Sequence, residues 1–217
     1  MIRENDMKIA DILDHPLFES SKEIPKIIHD NIKGRVCLTS YLHALYIVKK
    51  LMGDECRVYV EIGTLFGGSI SLVMQDETKT KFVGIDMFDG FYGLPKDPFS
   101  KLPVTIETTQ KNIEKNNTHG HDFELVKGSS FHPRIIEYIE QEYPVIDLLF
   151  IDGDHSDSGV VKDFVNYSGF VRQGGILVFD NYGDPCKKGV KRGVSTLDLS
   201  GWATIGQYGY SLYISKL

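Results

Sequence analysis

Short apolar runs alternate with helix-like segments over most of this 217-residue chain, and that alternation limits the folds it can adopt. The fourth and fifth apolar runs are almost uninterrupted, as expected for strands buried on both faces. Strands that alternate with helices form parallel βαβ units, so the sequence predicts an α/β protein with a doubly wound sheet. The predicted strands are 57–62, 81–86, 123–126, 145–151 and 175–179, and the predicted helices are 68–75, 105–116, 133–142 and 158–170.

The two ends of the chain have patterns of their own. Residues 9–52 look largely helical, and no flexible linker follows them, so we interpret residues 1–52 as a helical N-terminal cap. The domain prediction is therefore a single domain, 1–217, with its core in 53–217. At the other end, runs 202–207 and 210–215 could form an antiparallel hairpin at one sheet edge. The breaks expected in the cap are Pro16, Pro25 and Gly34.

Residues 88–104 are too long for an ordinary connection and contain three prolines and several aromatic residues. Long loops in compact domains are usually functional or mobile. We therefore predict a lid or a substrate-facing loop here. Phe91 and Tyr92 could line a substrate pocket, although aromatic residues in such a loop can equally serve packing.

Composition excludes several classes of partner. The formal net charge is -6, and an acidic protein repels a phosphate backbone, so no nucleic-acid partner is expected. No apolar stretch is long enough to span a bilayer, and residues 1–20 lack the apolar centre of a secretory signal. The cysteines do not have the spacing of a disulfide framework or a zinc site. We expect a cytoplasmic protein with reduced thiols at Cys37, Cys56 and Cys186.

A glycine-rich turn, from Glu61 to Ser69, follows the first predicted strand. In open α/β sheets, ligands bind beyond the carboxyl ends of the strands. Gly63 permits a sharp turn and a close approach of a ligand, while Gly67 and Gly68 open the next helix. The G-x-G-x-x-G spacing of dinucleotide sites is absent. The turn instead suits a ligand without a pyrophosphate, such as S-adenosylmethionine, whose cationic end Glu61 could favour.

Two further strand ends could complete a cofactor site. Asp86 ends the second strand, 25 residues after Glu61, where a carboxylate can accept hydrogen bonds from both ribose hydroxyls. Ser129 lies in a small Gly-Ser-Ser turn after the third strand that suits the edge of an adenine ring. The alternative is that the glycines only separate strand from helix. The turn, Asp86 and the βαβ context together favour cofactor binding.

The ends of the fourth and fifth strands carry residues suited to catalysis. These ends would be neighbours in a doubly wound sheet, so Asp152, Asp180 and Asn181 would meet at the mouth of the cleft. Three oxygen ligands without a thiolate suit Mg²⁺ or a similar cation, which would lower the pKa of a substrate hydroxyl. Histidine titrates near pH 6.5, so His155 could take the proton before an in-line methyl transfer. We predict His155 and Asp152 as catalytic residues, and Asp152 also as a cofactor contact.

Simpler interpretations of these acidic residues stay open. Asp152 or Asp154 could cap the helix that follows the fourth strand. Asp154 could also replace Asp152 as a metal ligand. An Asp-Asn pair such as Asp180-Asn181 often forms a turn.

Four segments together resemble a known family, the class I S-adenosylmethionine-dependent methyltransferases. The closer resemblance is to the branch that includes macrocin O-methyltransferase and the cephalosporin hydroxylase-like proteins. The resemblance runs from about Val58 to the end of the chain, including 189–194. The segments that carry it are 61–69, 85–86, 150–156 and 174–182.

The resemblance implies a Rossmann-like, seven-stranded, mostly parallel sheet with an antiparallel last strand. Metal ligands of the related catechol O-methyltransferase match Asp152, Asp180 and Asn181, and a lysine base there stands where this chain has His155. Macrocin-type enzymes more often have two aspartates after the fifth strand, a pattern from which Asn181 departs. The cofactor contacts that the resemblance implies are Glu61, Gly63, Ser69, Asp86 and Ser129.

The sequence thus predicts an S-adenosylmethionine-dependent O-methyltransferase, metal-assisted, acting on a small-molecule or sugar hydroxyl. A metal-independent enzyme is a variant of this hypothesis. A NAD-dependent oxidoreductase is the first alternative, and the missing dinucleotide spacing argues against it. A non-catalytic cofactor-binding protein is the second, and the joint presence of the predicted catalytic residues argues against it. Many members of this superfamily are oligomers, so we also expect a homodimer, with fold-level analogy as its basis.

Overall fold

A computed structural model describes residues 7–36 and 40–217. The strands are β1 (Val58–Ile62), β2 (Lys81–Asp86), β3 (Asp122–Lys127), β4 (Ile146–Ile151), β5 (Val171–Phe179), β6 (Trp202–Tyr208) and β7 (Ser211–Lys216). The helices are α1 (Ile9–Leu13), α2 (Phe18–Ser21), α3 (Ile24–Asn31), α4 (His43–Met52), α5 (Gly68–Val73), α6 (Ile106–Asn116), α7 (Pro133–Glu142), α8 (Asp157–Tyr167) and α9 (Lys188–Val194).

The strands form one seven-stranded sheet in the order β3-β2-β1-β4-β5-β7-β6. Strands β1 to β5 are mutually parallel, and β7 runs antiparallel to both β5 and β6. The predicted doubly wound, mostly parallel sheet with an antiparallel last strand is therefore confirmed. The chain builds outward from β1 to β3 and then returns to place β4 on the other side of β1. Such a switch point leaves a crevice at the carboxyl ends of the central strands.

Both faces of the sheet are covered by helices. Residues of α1 to α5, together with Ile113 of α6, pack on one face, and residues of α7, α8 and α9 pack on the other. Every residue of β4 is buried, which explains its uninterrupted apolar run. Within residues 7–36 and 40–217, no helix combines the length and hydropathy of a bilayer span.

The N-terminal helices differ from the prediction in detail. The chain breaks near Pro16 and Gly34 as expected, and Gly34 has a φ of 111°. Pro25 does not break a helix, because it lies in the first turn of α3, where its missing N–H costs no hydrogen bond. The parts of the predicted cap at 1–6 and 37–39, including Cys37, lie outside the described residues. The domain boundary near residue 52 stays a prediction.

Two elements of the core were misjudged from the sequence. Helix α9 was not predicted from the residue pattern, because Gly189 and Gly193 lower helix propensity and only two valines mark its apolar face. Strand β5 begins at Val171, four residues before the predicted start, because Gly174-Gly175 interrupts the apolar pattern.

A buried ion pair joins α4 to the turn between α5 and β2. The Lys49 ammonium lies 2.7 Å from an oxygen of Asp76, and both side chains are fully buried. Lys50 approaches the other Asp76 oxygen at 2.9 Å. Burial raises the pKa of Asp76, but the hydrogen bonds from the two lysines outweigh it and lower that pKa to about 2. The N-terminal helices are thus joined to the core by charge as well as by apolar packing.

Candidate active site

The carboxyl ends of the four central strands are level with one another. Ile62 of β1 pairs with Ile85 of β2 and with Ile151 of β4, which in turn pairs with Phe179 of β5. The ladder continues one step further, because the N–H groups of the next residues donate to the neighbouring strand. These bonds are Gly63 N–H to Ile85 O at 2.9 Å, Asp152 N–H to Ile62 O at 2.9 Å and Asp180 N–H to Ile151 O at 3.0 Å. The register therefore places Gly63, Asp86, Asp152 and Asp180 along one edge of the sheet.

The turn after β1 requires glycine for a local reason. Gly63 has a φ of 92°, and a Cβ there would lie 2.2 Å from the carbonyl oxygen of Asp152. Gly67 has a φ of 78°, and a Cβ there would lie 2.8 Å from Ile113. Packing within the chain is thus sufficient to require both glycines. The functional interpretation of this turn depends on the polar groups around it.

Glu61 is fully buried beneath the turn. Its carboxylate accepts hydrogen bonds from the Tyr59 hydroxyl at 2.7 Å and from the Ser69 hydroxyl at 2.8 Å. Burial raises the pKa of Glu61 to about 8, although these two donors lower it. A cationic ligand close to this carboxyl would favour its charged form. Sequence analysis predicted both Glu61 and Ser69 as cofactor contacts, and the structure brings them into direct contact.

Asp86 is held by the backbone of two adjacent loops. One carboxylate oxygen accepts the Leu65 N–H at 2.8 Å, and the other accepts the Phe88 N–H at 2.9 Å. Burial raises the pKa of Asp86. Each carboxylate oxygen can accept a second hydrogen bond, so the side chain is fixed in place and keeps capacity for two hydroxyl donors. This arrangement suits a ribose diol.

The predicted adenine turn after β3 is linked to α8. The Ser129 hydroxyl accepts the N–H of Phe131 at 3.2 Å. The neighbouring Ser130 hydroxyl donates to Asp163 of α8 at 2.7 Å. Asp163 is fully buried, and burial raises its pKa to about 7. Sequence analysis missed Asp163, although an aspartate among the apolar residues of a predicted helix is a usable signal of a buried polar contact.

His155 lies between Asp152 and the loop residue Tyr92. Its Nε2 is 2.9 Å from an Asp152 oxygen, and its Nδ1 is 2.9 Å from the Tyr92 hydroxyl oxygen. The Tyr92 oxygen is also 2.8 Å from the carbonyl oxygen of Gly153. The hydroxyl has one proton, so it can donate to Gly153 or to His155 but not to both.

The protonation of His155 is therefore coupled to the Tyr92 hydroxyl. A doubly protonated imidazole donates to both Asp152 and Tyr92, which leaves the hydroxyl proton for Gly153. A neutral imidazole protonated at Nε2 instead accepts a hydrogen bond from the Tyr92 hydroxyl at Nδ1. Every donor and acceptor in this chain of contacts has a partner when His155 carries one more proton than the neutral ring.

Asp180 and Asn181 follow β5. Asp180 is buried and accepts the Ser211 hydroxyl at 2.6 Å, while its second oxygen lies 3.5 Å from the Tyr41 hydroxyl. Asn181 has a φ of 56°, a conformation that asparagine tolerates, and its amide nitrogen lies 3.4 Å from the same hydroxyl. Burial, and then the negative charge of Asp152, raises the pKa of Asp180 to about 7.

The predicted metal ligands fit a divalent cation in donor type and charge. Burial and the charge of Asp152 raise the pKa of Asp180, and a cation beside the two carboxylates would favour the ionised form of Asp180. The described residues hold no group of three or more His, Cys, Asp or Glu side chains arranged for a metal ion. The predicted set contains only two side chains of these four types, Asp152 and Asp180, because its third member, Asn181, is an amide.

Asp154 takes part in the start of α8. Its carboxylate accepts the N–H of Ser156 at 2.9 Å, and Ser156 is the N-cap of the helix. A Cβ on Gly159 would lie 2.4 Å from the Asp154 carboxyl carbon, so the side chain is packed against the helix. The cap itself is Ser156, whose hydroxyl accepts the N–H of Gly159 at 3.0 Å, so Asp154 supports the capping residue and does not cap the helix. Asp152 faces His155 instead.

A buried carboxylate organises the long loop between β2 and α6. Asp97 is fully buried, accepts the Arg35 guanidinium at 3.0 Å and accepts the N–H of Ser100 at 2.7 Å. The Arg35 guanidinium also lies over the rings of Phe91 and Phe99, at 5.3 and 4.8 Å from their centroids. These contacts hold the loop against the segment that follows α3, and Tyr92 of the same loop contacts His155.

Comparison with known proteins assigns the family. A family model described as a methyltransferase domain matches residues 60–182. An uncharacterized protein, R132 of Acanthamoeba polyphaga mimivirus, is 34% identical over 163 residues, which are 73% of this chain and 66% of that relative. This chain spans 66% of the length of that relative. The chain belongs to the methyltransferase-domain family.

Solved structures share the fold at low sequence identity. CalS11, a calicheamicin methyltransferase, has a TM-score of 0.63 and 16% identity, with 93% of each chain covered. Its apo structure is described as a TDP-rhamnose 3'-O-methyltransferase. The mycinamycin-pathway methyltransferase MycE, in complex with Mg and SAH, has a TM-score of 0.56 and 14% identity over 90% of this chain and 54% of its own. The predicted class I methyltransferase fold is confirmed.

The contact at Gly63 leads to a stability prediction. Gly63→Ala should lower the free energy of unfolding by ~3 kcal/mol or more, because the new Cβ adds a backbone clash to an unfavourable φ. Gly53→Ala is the control for backbone strain alone, since Gly53 has a φ of 53° and open space around its Cβ position, and it should cost less, about 1–2 kcal/mol. Urea denaturation measures both, and equal losses would contradict the role of the contact with Asp152.

Proposed function

We propose that this chain is an S-adenosylmethionine-dependent O-methyltransferase that acts on a hydroxyl group of a small molecule. The observation that carries this proposal is the level edge of the sheet. At that edge the Gly63 turn, Asp86, Asp152 and Asp180 follow four adjacent strands. The chain also belongs to the methyltransferase-domain family. Fixed carboxylates and a histidine along one crevice suit a cationic methyl donor and a hydroxyl acceptor.

The cofactor would lie across the ends of β1 and β2. S-adenosylmethionine, when bound, supplies the methyl group. Asp86 is fixed by two backbone N–H groups and would accept hydrogen bonds from the ribose hydroxyls. Glu61, with Ser69 beside it, would favour the ammonium group of the cofactor. Gly63 and Gly67 would give the backbone of the turn its close approach, and Ser129 would meet the adenine edge.

The acceptor would lie across the ends of β4 and β5. In the neutral ring the Nε2–H of His155 donates to Asp152, so His155 would take the proton at Nδ1 by way of the Tyr92 hydroxyl, which would receive the proton of the acceptor in its place. The resulting imidazolium would donate to Asp152 and to Tyr92. Asp152, between the two halves of the crevice, would contact both the base and the cofactor side. The proton would then rest on a histidine that has a hydrogen-bond partner at each nitrogen, which lowers the cost of the transfer.

A divalent cation such as Mg²⁺ would assist at Asp152, Asp180 and Asn181. Its chemical contribution would be to lower the pKa of the acceptor hydroxyl. Support comes from Asp180, whose pKa is raised by burial and then by the charge of Asp152, and from the oxygen-rich donor set. MycE, a methyltransferase of the same fold, is described in complex with Mg and SAH.

A sugar hydroxyl is the favoured acceptor class. The macrocin-type resemblance suggests it, and CalS11 is described as a TDP-rhamnose 3'-O-methyltransferase. We further propose a single domain over 1–217 with a helical cap at 1–52, a cytoplasmic location, no nucleic-acid or membrane partner, and a homodimer. Gel filtration with light scattering tests the last of these.

Ligand-dependent thermal stability tests the proposed cofactor. S-adenosylhomocysteine should raise the melting temperature in a concentration-dependent way, because a ligand that binds only the folded state stabilises it by mass action. NAD⁺ at the same concentrations should cause no shift. A shift with NAD⁺ alone would favour the oxidoreductase alternative, and no shift with millimolar S-adenosylhomocysteine would contradict the proposal.

Manganese binding tests the metal proposal without an acceptor. Mn²⁺, a spectroscopic substitute for Mg²⁺, should bind the wild-type protein, as measured by the loss of its free-ion EPR signal. Asp180→Asn should weaken this binding at least ~10-fold, because losing even an outer-shell partner costs that much. Asp154→Asn, the matched control at the start of α8, should leave it unchanged. Equal binding by wild type and Asp180→Asn would remove Asp180 from the metal site.

A further inference from the structure

Helix α9 presents a basic face beside the proposed acceptor site. Its glycines form the opposite face, which packs closely on the segment that carries His155. A Cβ on Gly189 would lie 2.3 Å from the carbonyl oxygen of His155, and one on Gly193 would lie 2.6 Å from that of Asp157. Residues four apart share a helix face, so this packing turns the lysines of α9 outward, next to the catalytic segment.

A surface groove of about 400 Å³ lies between this basic face and the chain that follows Asn181. Asp184 is the carboxylate among its lining residues, and it accepts the N–H of Cys186 at 2.8 Å. The groove thus begins one residue beyond the proposed metal ligands. Its lining residues are Tyr182, Gly183, Asp184, Pro185, Lys188, Lys191 and Arg192.

Aromatic rings hold two of the lysines at the acceptor side. The Lys187 ammonium lies 5.7 Å from the centroid of the Tyr92 ring, which is itself 5.9 Å from the His155 ring. The Lys191 ammonium lies 5.5 Å from the centroid of the Tyr182 ring. One aromatic ring therefore separates the first of these positive charges from the proposed general base.

These lysines have no carboxylate partner within the described part of the chain, 7–36 and 40–217. No ion pair there involves Lys187, Lys188 or Lys191. Arg192 differs, because two of its nitrogens lie 2.5 and 2.7 Å from the Asp157 carboxylate. Lys188 and Lys191 line the groove, and Lys187 lies against Tyr92 next to it. Such a concentration of positive charge without carboxylate partners is unexpected in a chain with a formal net charge of -6.

We propose that Lys187, Lys188 and Lys191 bind a phosphoryl group on the methyl acceptor. This inference rests on the proposed function and narrows its substrate class to phosphorylated small molecules, such as a sugar phosphate or a nucleoside diphosphate sugar. A phosphoryl group carries more charge and more acceptor oxygens than a carboxylate, which suits several separate ammonium groups. A planar arginine fork is not available, since Arg192 is paired with Asp157.

The position of the cluster gives it a role in orientation. An acceptor anchored by its phosphoryl group beside α9 would extend towards His155 and the ends of β4 and β5. Fixing one end of the acceptor holds its hydroxyl close to the base, and such positioning supplies much of the rate of a two-substrate reaction. The negative charge elsewhere on the protein would disfavour binding of the same anion at other surfaces.

Calorimetric binding of pyrophosphate tests this inference. The protein is saturated with S-adenosylhomocysteine in buffer of constant ionic strength without divalent cations, which pyrophosphate would chelate. The triple substitution Lys187→Gln/Lys188→Gln/Lys191→Gln should weaken pyrophosphate binding roughly 30-fold, the combined effect of three exposed charge contacts. The control Lys26→Gln/Lys33→Gln/Lys111→Gln removes the same charge from residues of the opposite sheet face, and it should change binding less than about twofold.

The outcomes separate this inference from the proposed function. Selective loss in the first triple variant supports the phosphoryl site. Equal loss in both variants, or no pyrophosphate binding to the wild type, overturns it while S-adenosylhomocysteine binding stands. Failure of S-adenosylhomocysteine to bind counts against the proposed function instead. UDP and glucose 1-phosphate serve as further probes that distinguish a diphosphate from a phosphate monoester. If the protein binds neither of them, the assignment to an organic acceptor is overturned.

Discussion

The close backbone contact between the ends of β1 and β4 is the constraint on which the rest of the site depends. Gly63 lies so near the Asp152 carbonyl that no side chain fits between them, and the Asp152 N–H donates to Ile62 across the same gap. This contact fixes the glycine-rich turn relative to the segment that carries Asp152 and His155. In the proposed function the cofactor and the acceptor would thus lie on two parts of one rigid ladder, which would hold the two reactants in line for methyl transfer.

Carboxyl groups are concentrated along this edge of the sheet. Glu61 and Asp180 are buried and Asp86 is half-buried, and burial raises the pKa of each carboxyl. Such groups are costly when ionised alone and become favourable beside a positive charge. A sulfonium cofactor with an ammonium group, and a divalent cation near Asp180, would supply that charge in two places. The basic face of α9 lies beside the segment that carries His155, where the proposed phosphoryl group of the acceptor would bind.

The sequence was sufficient for the sheet, because β4 and β2 are buried strands with unambiguous apolar runs. It also located the strand-end residues, since the register follows once the strands are parallel. It could not reveal contacts between distant segments: Tyr41 reaches Asp180 across 139 positions, and Tyr92 reaches His155 across 63. Helix α9 was missed from the residue pattern because its glycines serve close packing at the cost of propensity.

A crystal structure of the protein with S-adenosylhomocysteine would test the central claim most directly. We predict that the ligand lies across the Gly63 turn, with both ribose hydroxyls within hydrogen-bond distance of Asp86 and its sulfur facing the His155 side of the crevice. A ligand bound away from the ends of β1 and β2, or one whose ribose does not contact Asp86, would contradict the account.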